Sequence, residues 1–111
     1  MPLLFSYGTL RDPAVQQANF GRLLAGREDA LPGYRVELVK ITDPDVLAVS
    51  GQDHHPIVTP SGDLADQVPG TVFEVSDEEL AAADLYEVDD YRRVLVQLAS
   101  GDHAWVYVQA A

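Results

Sequence analysis

The sequence contains no cysteine. Disulfides, thiolate catalysis and cysteine-ligated zinc are thereby excluded. Basic residues are scarce, 7 against 18 acidic ones, for a net charge of −11. No basic stripe exists to neutralise a phosphate backbone or to meet an anionic bilayer, so neither a nucleic acid nor a membrane is an expected partner. A small substrate carrying its own ammonium group is compatible with that charge. The N-terminal apolar run is short and has no basic segment ahead of it, so it reads as neither a signal peptide nor a membrane span, and a cytoplasmic location follows by default. The motifs G-x-S-x-G, G-x-G-x-x-G and the P-loop are absent, which removes the serine nucleophile elbow and the common nucleotide-binding turns. The histidines are few, His54-His55 and His103. Adjacent histidines do not share a helical face and no carboxylate stands at ligand spacing to them, so a solvated loop pair is expected and no metal site.

What remains is a chain of 111 residues, 47% apolar and 23% charged, with no repeat, linker or low-complexity segment. That suits a single domain over residues 1–111 with one core. The opening Leu3-Leu4-Phe5-Ser6-Tyr7 is long enough for one buried strand. It breaks at Gly8, and Asp12-Pro13 announces a helix by an N-cap residue and a proline in the first helical position. The spacing of Val15, Ala18, Leu23 and Leu24 carries that helix to about Leu24, with Gly26 to end it. Leu31-Pro32-Gly33 is a break, and Tyr34 to Ile41 alternates as a strand. Residues 42–70 are irregular and rich in turn formers, with Val46 to Val49 and Ile57-Val58 as possible edge strands. Gly70 to Val75 is a strand. Ser76 then caps a helix towards Tyr86, and Glu79 completes a capping box. Arg93 to Ala99 and His103 to Val108 form a hairpin around Ser100-Gly101. The order predicts an α+β domain with mixed or antiparallel pairing and two helices, its sheet of about six strands curling into a small barrel to hide its edges.

Two stretches are candidates for chemistry. A strand that ends at a glycine turn before a helix leaves backbone N–H groups unpaired at the end of a sheet, able to hold an anion or a polarised carbonyl oxygen, although the pattern by itself favours a tight turn with no function. The second is Glu87, which follows a helix whose negative dipole end disfavours a carboxylate. Asp84 stands one turn back, and Asp89 and Asp90 are close in sequence. These charges, with Tyr86 and Tyr91 to shield the site from water, are expected to raise the Glu87 pKa and suit it to general-base work. The plainer reading of the residues is a solvated acidic helix end partly neutralised by Arg92 and Arg93. On a strand those two arginines point to opposite faces, so at most one would grip a carboxylate.

Several segments, in order, resemble one family. Tyr7-Gly8-Thr9-Leu10 resembles the Y-G-T-L signature of the gamma-glutamylcyclotransferase-like, or AIG2-like, proteins. Gly33-Tyr34 is similar to the family's G-Y before its second strand. Val68-Pro69-Gly70-Thr71-Val72-Phe73-Glu74-Val75 with Ser76-Asp77-Glu78-Glu79-Leu80 is similar to its V-x-G-x-V-[YF]-x-V-s-d-e-e-L segment. Asp84-Leu85-Tyr86-Glu87, then Tyr91, Arg93 and Val96, resembles D-x-[YF]-E…Y-x-R-x-x-V. Ala104-Trp105-Val106-Tyr107 is similar to the closing strand. Val88 stands where the family often has glycine, so the turn after Glu87 is expected to differ.

The resemblance implies a small mixed β-barrel and a cavity with the Tyr7-Gly8-Thr9-Leu10 turn at its rim as the substrate-binding element. It implies Glu87 as the catalytic acid/base, no metal and no cofactor. The implied activity is release of 5-oxoproline from a gamma-glutamyl amine or peptide, a transferase- or lyase-type reaction in which the substrate's own amine is the nucleophile. Two other readings stay open: a non-catalytic module that binds a small metabolite on the same fold, and a protein whose acidic surface binds a partner. The amine portion of the substrate and the oligomeric state are not legible.

Overall fold

The structure is a computed structural model that describes residues 2–40, 54–87 and 91–109. Its organising strand is β1, Leu3–Ser6. Neighbouring side chains on a strand reach opposite faces, yet Leu4 and Phe5 are both fully buried. Only a strand covered on both faces accommodates that. Accordingly β1 is the middle strand of a five-stranded sheet. Its companions are β2 (Gly26–Pro32), β5 (Gln67–Glu74), β6 (Tyr91–Gln97) and β7 (His103–Gln109), in the order β2-β5-β1-β7-β6. The pairings are antiparallel except for β1 with β7, which run parallel with Leu4 opposite Trp105.

Each face has its own core. On one side Leu4 meets Phe73, Val75 and Tyr107 beneath helices α1 (Pro13–Phe20) and α2 (Asp77–Tyr86), with Leu10, Leu80 and Ala83 filling the gap. On the other, Phe5 meets Leu31, Val68, Val72, Val106 and Val58. Val58 belongs to a separate two-stranded antiparallel sheet of β3 (Tyr34–Lys40) and β4 (His54–Pro60), in which Val36 lies opposite Val58. The described residues form an α+β fold with two α-helices. A single 3-10 turn, Thr9–Arg11, links β1 to α1.

Local chemistry explains the helix ends. Asp12 accepts from the Ala14 N–H at 2.8 Å ahead of Pro13. Ser76 and Glu79 form the expected reciprocal capping box, at 3.1 and 2.8 Å. The first helix, however, stops at Gly21, not near Leu24. Gly21 takes the left-handed conformation (φ 70°) that ends helices. Leu23 then lies outside the helix and is 55% exposed.

Gly26 does not end a helix; it opens β2, a strand the sequence does not announce. Arg27 and Glu28 are exposed and Asp29 and Ala30 half-buried, so no alternation marks it. The Ile57-Val58 piece is part of the longer β4, which starts at His54, so the histidine pair belongs to a strand and not to a loop. Ile41 and Val46 to Val49 lie outside the described residues. The final hairpin pairs as expected, with Gly101 at its turn.

The five-stranded sheet curls but does not close. Just beyond β6, Ala99 N–H donates to the Ala30 carbonyl of β2 at 2.9 Å, and Ser100 bonds the Asp29 carboxylate. No ladder joins β2 to β6. The expected barrel is therefore an open sheet with a two-stranded sheet laid across one face, seven described strands in all. Its edges are protected by other means: β2 carries Arg27, Glu28 and Pro32, and β6 carries exposed Arg92. Among the described residues no helix is long and apolar enough to cross a membrane.

Candidate active site

The pairing pattern gathers distant residues at one end of the sheet. Because β1 and β7 are parallel, the end of β1 lies beside Tyr107 on β7. Because β6 is antiparallel to β7, its first residue, Tyr91, sits opposite Gln109 at that same end. Helix α2 finishes there too, with Glu87 as its C-cap. Between these elements lies a cavity of about 50 Å³, lined by Ser6, Tyr7, Gly8, Thr9, Leu10, Pro56, Glu87, Tyr91, Tyr107 and Phe5. The four turn residues singled out in the sequence and Glu87 therefore border one space.

The turn is held from outside. The Arg11 guanidinium donates to the carbonyls of Tyr7 (2.9 Å) and Gly8 (3.2 Å). The buried Gln16 side chain donates to the Leu10 carbonyl at 2.9 Å. Gly8 N–H reaches Ser6 Oγ at a long 3.3 Å. Thr9 and Leu10 open the 3-10 turn, where N–H groups have no partner within the helix. Thr9 Oγ1 and the Tyr86 hydroxyl lie 2.7 Å apart and tie the turn to the end of α2. Gly8 does not need to be glycine for its backbone angle (φ −131°), and a Cβ there would meet only Pro56 Cγ at 3.5 Å, an ordinary contact.

Glu87 is partly buried and makes no hydrogen bond or ion pair with its carboxylate among the described residues. Burial pushes its pKa up from 4.5 to about 7. The direction agrees with the sequence reading, and so does its dependence on loss of water; Asp84 is not the cause. Asp84 has partners of its own: it takes a two-pronged ion pair from Arg93, at 2.9 and 3.1 Å, and accepts from the Tyr107 hydroxyl at 2.8 Å. Arg93 also stacks on Trp105, 4.5 Å from the ring centre. One of the two arginines does grip a carboxylate, as strand geometry allows, and Glu87 is not the one it grips. Asp89, Asp90 and Val88 lie outside the described residues.

Tyrosines close the rest of the site. Burial raises the Tyr7 hydroxyl above its ordinary range, and it donates to the Tyr107 carbonyl at 2.6 Å. Burial and the bond to Asp84 raise Tyr107 as well, and the Glu87 charge adds to both shifts. Tyr91 lines the cavity and donates from its hydroxyl to the Pro56 carbonyl. Tyr86 faces the turn through Thr9 and lies outside the cavity lining. Sequence reasoning found Tyr91 as a shield but missed Tyr107 and Pro56, whose part depends on strand pairing across nearly the whole chain. The alternation of the last strand was the available signal for Tyr107. His103 is exposed at the opposite end of β7, and no group of three or more potential metal ligands occurs among the described residues.

The fold has solved counterparts. A solution structure of an Arabidopsis thaliana protein superposes with a TM-score of 0.75 at 27% identity, over 97% of this chain and 61% of that one. A structure titled gamma-glutamyl cyclotransferase superposes with a TM-score of 0.71 at 13% identity, over 98% and 66%. A Pyrococcus horikoshii protein gives 0.62 at 21% identity, over 100% and 80%. The chain thus spans less than two thirds of the first of these relatives, at 61%. Among curated proteins, none matches the sequence. The sequence pattern of one family runs through residues 4–111, from the middle strand to the last: the chain belongs to the gamma-glutamyl cyclotransferase, AIG2-like family.

Proposed function

We propose that residues 1–111 act as one domain, a cyclotransferase that releases 5-oxoproline from a gamma-glutamyl amine or peptide, with Glu87 as general acid/base. The observation that carries this reading is a carboxylate without a partner among the described residues, its pKa near 7, bordering the same cavity as a turn whose Thr9 and Leu10 N–H groups have no partner within their helix. Family membership supports the reaction class.

The chemistry needs no nucleophile from the protein. The substrate's α-amine attacks its own side-chain amide carbonyl, forming the ring C–N bond and expelling the amine or peptide. Glu87 takes one proton of the α-ammonium, whose pKa is about 8, and delivers it to the leaving nitrogen; the second proton that the attacking nitrogen sheds as the lactam forms passes to solvent. A carboxylate near pKa 7 is well matched to both steps. Tyr7, Gly8, Thr9 and Leu10 seat the glutamyl end, with the N–H groups of Gly8 to Leu10 as the donors to the charge that develops on the carbonyl oxygen; one such donor is worth about 3–4 kcal/mol. Holding the chain in its ring-closing pose supplies roughly 7–11 kcal/mol more. At about 50 Å³, the cavity is small beside ordinary ligand pockets of ~300–1,000 Å³. That size supports a substrate seated by its glutamyl end with its amine portion in solvent.

The test is a screen of gamma-glutamyl dipeptides, gamma-glutamyl amines and gamma-glutamyl-lysine for 5-oxoproline release. Turnover of at least one class is expected. No release from any of them, with binding retained, would replace the enzyme by a binding module.

A further inference from the structure

Arg11 is exposed, lies outside the cavity lining and makes no ion pair among the described residues. Its guanidinium instead holds the carbonyls of Tyr7 and Gly8. We infer that Arg11 is a positioning residue: by holding the Tyr7 carbonyl it fixes the Tyr7–Gly8 peptide so that the Gly8 N–H, and not a carbonyl oxygen, faces the cavity.

In a trans peptide the C=O and the following N–H point in opposite directions, and the described residues contain no cis bond. With the Tyr7 carbonyl turned out to Arg11, the Gly8 N–H turns in to Ser6 Oγ, an atom of a cavity-lining residue. The long 3.3 Å contact leaves that N–H ready for a better acceptor. Rotating this one peptide by half a turn would bring the carbonyl into the cavity and carry Gly8 to positive φ, which glycine accepts freely. The next peptide is guarded differently. Its flip would require positive φ at Thr9, which a β-branched residue resists, and the Gly8 carbonyl already receives both the Arg11 N–H and Nε at 3.2 Å. The Tyr7–Gly8 peptide is therefore the loose joint of the turn, and Arg11 Nη2 is the side-chain donor that closes it.

The consequence for turnover rests on the proposed cyclotransferase reading; the orientation of the peptide does not. The experiment is measurement of the Gly8 N–H residual dipolar coupling and the Gly8 three-bond H–N–Cα–H couplings in wild type, Arg11→Ala, Arg11→Lys and the double variant Arg11→Ala/Gly8→Ala. In Arg11→Ala the Gly8 values are expected to leave those of the fold, or the signal to broaden, while amides of β5 and β7 stay put. Arg11→Lys, with one donor group, is expected to recover part of the shift. The double variant is expected to return residue 8 to the wild-type orientation, because alanine resists positive φ and its Cβ has room beside Pro56. Unchanged Gly8 couplings in Arg11→Ala overturn the inference, as does a double variant that behaves like the single one. Where wild type releases 5-oxoproline, Arg11→Ala is expected to lower kcat about tenfold with KM little changed. An unchanged kcat beside a reoriented peptide overturns the positioning role. A wild type that turns over nothing, with Gly8 reoriented in Arg11→Ala, rejects the proposed reaction and leaves the inference standing.

Discussion

Helix α2 carries a glutamate at each end, and the two have opposite fates. Glu79, in the first turn, accepts the Ser76 N–H and a two-pronged bond from Arg22, both contacts at 2.7 Å. Arg22 and the Ser76 N–H hold its pKa at about 2. Glu87, just past the last turn, has no such partner among the described residues and is pushed to about 7 by burial. The helix dipole favours the first arrangement and opposes the second. The N-terminus answers the needs of folding with local pairs. The C-terminus leaves a carboxylate half-buried and short of water, the departure from local rules that functional sites tend to make.

The contrast is most sharply broken by Glu87→Gln. Loss of a general acid/base is expected to lower 5-oxoproline release by about 10²–10⁴-fold, with the unfolding midpoint at pH 8 unchanged or raised. Wild-type turnover in this variant would end the assignment of Glu87. Next in size, Gly8→Val is expected to weaken binding of 5-oxoproline, followed by calorimetry, by at least about tenfold, since a branched side chain intrudes where a ligand meets bare backbone. Its cost in stability should stay near ~1 kcal/mol, because the glycine sits at a negative φ with 3.5 Å of room to Pro56. A collapse of stability instead would make Gly8 a steric need of the turn.

At the other end of the helix, Glu79→Ala is expected to cost about 1–2 kcal/mol in denaturant unfolding at pH 7, with kcat unaffected. The pH dependence separates the two carboxylates, which act with opposite signs. Glu79, lowered from 4.5 to about 2, contributes stability that is present above pH 4.5 and lost as pH falls towards 2. Glu87, raised from 4.5 to about 7, does the reverse: the folded state holds its proton more tightly, so stability falls as pH rises from 4.5 through 7. Glu87→Gln should match wild type in stability below pH 4.5 and exceed it above pH 7. Parallel curves across that window would place the carboxylate in water.

The same division governs what the sequence discloses. The capping box is read from Ser76 and Glu79 because both partners lie within one turn. The break at Gly8 and the hairpin at Gly101 are equally local. Strand β2 escapes because its residues 26–32 show no alternation; its place is decided by β5, about 40 residues on. The end of the first helix is misjudged because Gly21 and Gly26 look alike in sequence, and only one of them takes φ 70°. The closed barrel fails because charge and proline protect the edges. For Glu87 the direction of the shift and its dependence on shielding from water are legible; the part given to Asp84 is not, because Asp84 belongs to Arg93 and Tyr107 in the assembled fold.

The parallel contact of β1 with β7 has a consequence in time as well as space. The Tyr7 hydroxyl and the Tyr107 carbonyl that it meets are 100 residues apart, so the floor of the cavity unites nearly the first and nearly the last described segments. Contacts of such separation are slow to form. During synthesis the turn, the helix and Glu87 all emerge before the strand that encloses them. A nascent chain halted ahead of His103 carries these parts with no enclosed cavity, and ligand binding should arise in one late step when the last strand docks.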